Sequence, residues 1–228
     1  MFCHIDIVML LKIKSLLIKR GKKTLIRNFN LTITKSQITI VSGDNGVGKS
    51  TLLETIAGLQ KNFEGKITFF SQNKMPVLPQ SRNIFFLGHL NALKDELSVL
   101  ENLKIWTNVN LLKIKDIQLL ENLSYFDLYN FSNIKLNKLS FGQRRKVALT
   151  KLLITDSNFW ILDEPCNGLD EVSEKKFLDL VQKRKKKGGC IIFTSHKRYK
   201  NKEFKSIDLN CSKSAKKSNI NSDLWSNL

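Results

Sequence analysis

Between Leu10 and Ile40 the apolar residues fall in short alternating bursts, LKIKSLLI, TLI and LTITKSQITI, broken at Arg20-Gly21 and again at Lys35-Ser36. A period near two with polar breaks predicts strands joined by hairpins. Ile38 to Val41 is a β-branched run that stops at Ser42-Gly43, after which Leu52, Ile56 and Leu59 repeat at helical spacing. The order there is strand, Gly-rich loop, helix. Lys66 to Phe70 and Ile84 to Leu87 are again β-rich, and from Ser98 to Trp106 the period is helical, with Ser98 and Glu101 at the spacing of a capping box. Phe159 to Leu162 and Cys190 to Thr194 are unbroken apolar runs, as strands buried on both faces of a parallel sheet require. Together these predict an α/β fold with an N-terminal antiparallel β part, a parallel core and an inserted helical subdomain over about residues 90-157. The domain is expected to span residues 1-197, and residues 198-228, which are polar, basic and rich in Ser and Asn, to form a loosely ordered tail.

A chain of 228 residues buries one sizeable core, and 42% hydrophobic with 25% charged content is that of a folded globular protein. The charge changes the picture more. Thirty-eight Lys and Arg against 20 Asp and Glu give +18, so the surface attracts anions, whether nucleotides, nucleic acid or lipid headgroups. Cys3, Cys166, Cys190 and Cys211 lie far apart, without metal-ligand spacing, and read as reduced thiols. The apolar runs are shorter than the roughly 20 residues of a membrane-spanning helix, so no span is expected. The first residues carry neither a secretory nor a transit pattern, and Met9 is an alternative start.

The chemistry starts at Gly43-Asp44-Asn45-Gly46-Val47-Gly48-Lys49-Ser50, followed by Thr51, an eight-position phosphate loop in its required place between strand and helix. Its glycines let backbone N–H groups turn toward a phosphate at the helix N-terminus. Lys49 offers a cation to the β- and γ-phosphates of ATP, and the Ser50 hydroxyl suits Mg²⁺. At the end of the buried run FWIL stand Asp163 and Glu164, two carboxylates delivered to a sheet edge. Asp163 is the second candidate ligand for Mg²⁺, and Glu164 the candidate base for the attacking water.

At Leu139 to Gln143 the sequence reads LSFGQ, with Ser140 and Gln143 at capping-box spacing. Lying before Asp163-Glu164, this pentapeptide resembles the signature motif of the ABC ATPase family. Asn167-Gly168-Leu169-Asp170 resembles the family's D-loop, and His196, after the run CIIFTS, stands where the family has its switch histidine. On its own, a His after a strand is more often an ordinary surface residue, and Cys166 reads as loop filling. The resemblance covers roughly residues 10 to 197.

It implies an ATPase working as a head-to-tail dimer, in which Ser140, Gly142 and Gln143 of one subunit reach the γ-phosphate bound at the partner's Lys49, with Asp170 close by. It also implies a membrane-embedded permease as the further partner, and no nucleic acid. Nucleic-acid-associated relatives usually carry a long coiled coil or two ATPase modules, whereas this chain has one phosphate loop and no sustained heptads.

Two positions depart from the family pattern. Arg20 precedes Gly21 where an aromatic residue usually stacks on adenine, and a guanidinium plane can stack in its place. His89, in FFLGHLNALK, takes the place of the usual Gln, so it is a candidate for nucleotide or Mg²⁺ contact through an imidazole instead of an amide. Together with LGHLNALKDELSVLENLKIW and LSFGQRRKVAL, these departures resemble the ATP-binding subunits of heme exporters that serve cytochrome c maturation. That resemblance implies a peripheral subunit on the cytoplasmic face of a bacterial membrane or the matrix side of a mitochondrial one. Another small ABC transporter is the first alternative, and a nucleic-acid-associated ABC ATPase the more distant one.

Overall fold

The computed structural model describes residues 8–71, 75–77, 83–197, 199, 201 and 203–210. Cys3, Cys211 and residues 211–228 of the expected tail lie outside the described residues.

Strand β1 (Val8–Arg20) pairs antiparallel with β2 (Lys23–Thr34) on one side and β4 (Phe63–Ser71) on the other, and β4 carries the two-residue β5 (Pro76–Val77). Alternation decides the faces: Leu11, Ile13, Leu16 and Ile18 are buried while Lys12 and Lys14 point outward. The register shifts between Ile13 and Leu16, where Ser15 adopts φ 49°. That bulge absorbs the break in alternation and keeps Leu16 and Ile18 on the inner face. Arg20 faces Lys23 across a two-residue turn whose Gly21 has φ 58°, a conformation that glycine enters without a Cβ clash.

The second sheet is parallel, in the order β6 (Ile84–Leu87), β7 (Phe159–Leu162), β8 (Cys190–Thr194), β3 (Ile38–Ser42), β9 (Phe204–Asp208). Every residue of β7 and β8 is buried, as their unbroken apolarity requires. Trp160, Leu162, Ile191 and Phe193 pack on one side against α4 (Phe141–Ile154) and α5 (Glu171–Lys186). Phe159, Ile161 and Ile192 pack on the other side against α1 (Lys49–Ile56) and the antiparallel sheet. Between β6 and β7 the chain forms α2 (Val99–Val109), α3 (Asp116–Ser124) and α4.

Two expectations are corrected. The chain after Lys197 was expected to leave the domain, yet β9 pairs parallel with β3 from Ile38↔Phe204 to Ser42↔Asp208, and Leu209 is buried. Its sequence FKSID is polar because an edge strand keeps one face in water. Leu59, expected on the apolar face of α1, is exposed. The helix has already stopped, because Gly58 takes φ 76° and the amides of Gly58 and Leu59 bond back to Thr55 O and Glu54 O, closing a Schellman turn.

Parallel pairing brings the C-terminal ends of all five strands to one edge, where ligands bind in open α/β sheets. The loops after β3, β6, β7 and β8 therefore meet there.

Candidate functional site

At the end of β3 the chain runs through Gly43, Gly46 and Gly48 with φ of 140°, 73° and 115°. These values suit glycine, and they curl the loop in front of α1. Gly48 caps α1 without a side-chain hydrogen bond, so the first-turn amides are free of a competing cap. A Cβ built at Gly46 would meet nothing within 4 Å, which leaves the cradle open for a ligand. Beneath the loop, a Cβ at Gly48 would come within 3.3 Å of Leu25, so the β1–β2 hairpin supports it from behind. Lys49 is 6% exposed, and its Nζ donates to Gly43 O (2.8 Å) and Asp44 O (3.0 Å), which leaves one N–H of the ammonium. Ser50 is exposed beside it. Asn210, just past β9, accepts from Asp44 N through Oδ1 (3.4 Å).

Asp163 and Glu164 follow β7. Asp163 is buried, its amide donates to Leu87 O (2.7 Å), and its Oδ1 accepts from Thr194 Oγ1 (2.7 Å). The same Thr194 oxygen accepts from Glu164 N (2.7 Å), so the last residue of β8 sets both acids. Glu164 has φ 47°, uncommon for a residue with a Cβ. Its carboxylate lies between two imidazoles: His196 Nε2 is 2.9 Å from Oε1 and His89 Nδ1 is 3.7 Å from Oε2. His196 comes from the end of β8, His89 from the end of β6, and Asn167 Nδ2 donates to Oε2 at 3.4 Å. The structure thus puts His89 beside the candidate base.

Among the described residues no group of three or more His, Cys, Asp and Glu could hold a metal alone. Asp163 with the Ser50 hydroxyl is instead the donor set that suits Mg²⁺, an oxygen-seeking cation that takes one or two protein ligands and completes its shell with phosphate and water.

Ser140 caps α4. Its Oγ accepts from Gln143 N (3.2 Å), and Ser140 N donates to Gln143 Oε1 (2.9 Å). The Gln143 side chain is therefore engaged within its own helix turn. A Cβ at Gly142 would stand 2.5 Å from Gly168 O, so the signature loop lies directly on the D-loop. Asp170 caps α5 through Ser173 N (2.7 Å) and pairs with Lys146 Nζ of α4 (2.7 Å). The Lys146 ammonium, and then the Ser173 amide, hold the Asp170 carboxyl well below the usual carboxylate range. Asp170→Ala should lower unfolding stability by about 1 kcal/mol, the usual effect of a lost N-cap. A depressed acid stabilises above its unfolded pKa and stops doing so as pH falls through its folded value. The gap between wild type and variant in thermal melts should therefore close in acid, and a gap that is constant with pH would refute the cap.

Arg20 is exposed at the hairpin whose Leu25 and Ile26 back the phosphate loop. Thr194 and Arg145 belong to the site although no motif names them. Arg145 is 1% exposed and bonds both to the carbonyls around Glu164 and to the loop that holds His89. Cys166, between the acids and α5, has its thiol pushed up to about 12 by burial, and Tyr199 Oη donates to its Sγ (3.7 Å). At neutral pH it is an inert filler.

The sequence profile of the family described as ABC transporter matches residues 26–167. Over 188 residues the chain is 36% identical to the cytochrome c biogenesis ATP-binding export protein CcmA of Brucella abortus, with 82% of this chain and 86% of that protein aligned. It is 30% identical over 203 residues to the protein of the same description from Pasteurella multocida, with 87% and 94% aligned. An ABC transporter ATP-binding protein from Pyrococcus furiosus superposes with a TM-score of 0.76 at 27% identity, covering 89% of this chain and 98% of that one. A bacterial ABC transporter cassette solved as a dimer superposes with a TM-score of 0.70 at 25% identity, covering 82% and 88%.

Proposed function

Because the chain belongs to the ABC transporter family of ATP-binding proteins, we propose that it is the ATP-hydrolysing subunit of a heme-exporter complex that serves c-type cytochrome biogenesis. The observation that carries the ATPase part is the Glu164 carboxylate, held between His196 and His89 at the same sheet edge as the phosphate loop. The export part draws on the relatives named for cytochrome c biogenesis, which are bacterial. They favour the cytoplasmic face of a bacterial membrane over the mitochondrial alternative.

In this reading the amides of residues 46–50 and the remaining Lys49 donor bind the β- and γ-phosphates of ATP. Asp163 and Ser50 would hold Mg²⁺, which would neutralise charge on the phosphates. Glu164 takes the proton of the attacking water as general base, and His196, at its Oε1, orients it. Ser140 and Gly142 of a second copy close over the γ-phosphate, so the working unit is a head-to-tail dimer. A membrane-embedded permease is the other partner, as the match to the ABC transporter family suggests; no helix among the described residues is long and apolar enough to cross a membrane.

Complementation in a cell lacking the native gene tests the heme assignment. Wild type should restore heme-stained c-type cytochromes while Glu164→Gln does not, and both cells should keep their b-type hemes. Normal c-type cytochromes without any copy of the gene would remove the heme assignment and leave the ATPase reading standing.

A further inference from the structure

Arg145 lies in the second turn of α4, after its N-cap Ser140, and every N–H of its guanidinium is used. Nε donates to Pro165 O (3.2 Å), and Nη2 donates to Asp163 O and Glu164 O. Nη1 donates to Gly88 O (3.1 Å) and Asn91 Oδ1 (2.7 Å). Three successive carbonyls, 163 to 165, thus converge on one cation.

That convergence depends on the left-handed φ of Glu164, since in an extended strand successive carbonyls point to opposite sides. Three carbonyl dipoles aimed at one point repel unless a positive charge sits there. The guanidinium supplies it, and so stabilises the backbone angle that aims the Glu164 side chain at His196 and His89. Its other edge grips the carbonyl before His89 and the side chain two residues after it.

We infer that Arg145 is a positioning residue that locks the Glu164 backbone and the His89 loop to the signature helix, so that the base and both loops answer to α4 as one unit. The inference rests on the ATPase reading above. Lys151, also buried on α4, adds to the grip by donating to Asn91 O (3.3 Å) and Ala92 O (3.2 Å). Burial pulls the Arg145 pKa down to about 10, so the cation persists at neutral pH.

A lysine cannot imitate this arrangement, because its three donors radiate from one atom and cannot span five acceptors on two loops. The test uses the full chain as wild type, Arg145→Lys and Asn91→Ala, with steady-state ATPase for kcat and KM and mant-ATP titration for nucleotide affinity. Arg145→Lys should lose about a hundredfold in kcat, the scale of a 1 Å misplacement of a reacting group, with KM and mant-ATP affinity within about threefold. Asn91→Ala, at a partly exposed loop position, removes one of the two loop-side acceptors of Arg145 while Gly88 O and the Lys151 bonds remain, and should lose about fivefold in kcat with KM unchanged. A folded Arg145→Lys with wild-type kcat, or a loss that follows nucleotide affinity, would overturn the inference. If Arg145→Lys does not fold, wild-type kcat in Asn91→Ala overturns it alone. A wild type that binds mant-ATP without turning it over would remove the ATPase reading and the inference together.

Discussion

Glu164→Gln is expected to lower ATP hydrolysis by about 10²- to 10⁴-fold, the usual contribution of a positioned general base, while leaving nucleotide affinity close to wild type. The substitution keeps the size of the side chain and leaves the main-chain bonds from Glu164 N to Thr194 and from Arg145 to Glu164 O untouched. An amide nitrogen cannot take the proton of water, so ATP should stay bound and unhydrolysed. Since the γ-phosphate would be shared with the signature residues of a second copy, trapped ATP should also hold two chains together. Size-exclusion chromatography of the variant should show a dimer with Mg-ATP and a monomer with ADP. Wild-type turnover would remove Glu164 from the role of base, and a monomer under saturating Mg-ATP would count against the head-to-tail arrangement.

The parts of this site that can be read in the sequence are those set by neighbours a few residues apart. The phosphate loop is one continuous segment, and both capping boxes, Ser98 with Glu101 and Ser140 with Gln143, are i to i+3 relations that the structure forms. Strands β7 and β8 were visible because burial on both faces removes polar residues altogether. What was hidden depends on distant partners. Arg145 sits in the run Arg144-Arg145-Lys146, three cations of which Arg144 pairs with Asp95, Lys146 pairs with Asp170 and only the middle one turns inward. Four of its five acceptors are main-chain carbonyls, which leave no trace in a sequence. Thr194 is hidden likewise, since its role follows from β8 lying between β3 and β7, a matter of strand order. β9 was missed because an edge strand with one wet face resembles a polar tail. Asp170 and Ser173 carried a cap signal that the D-loop resemblance overshadowed.

Lys49→Ala should lower hydrolysis by about 10²- to 10³-fold, or about 2.7–4 kcal/mol of barrier, the scale seen when one preorganised donor to a developing charge is removed. The ammonium sits at the mouth of the loop, fixed by Gly43 O and Asp44 O, so it needs no reorganisation when charge develops on the transferring phosphoryl group. Ground-state affinity should fall less, because the amides at the uncapped N-terminus of α1 remain to bind phosphate. The fold should persist. α1 is anchored by Leu52, Leu53 and Ile56, each fully buried, and none of them depends on the ammonium. The two carbonyls that lose their donor lie on a loop with exposed residues at 44–46, where water can replace it. Circular dichroism should therefore match wild type while phosphate release collapses and mant-ATP binding weakens by about tenfold, or 1.4 kcal/mol. A folded Lys49→Ala protein with wild-type turnover would mean that residues 43–50 are a glycine-rich turn with no part in phosphoryl transfer. The roles given to Ser50 and Asp163 would fall with it, because both are defined by where the γ-phosphate lies.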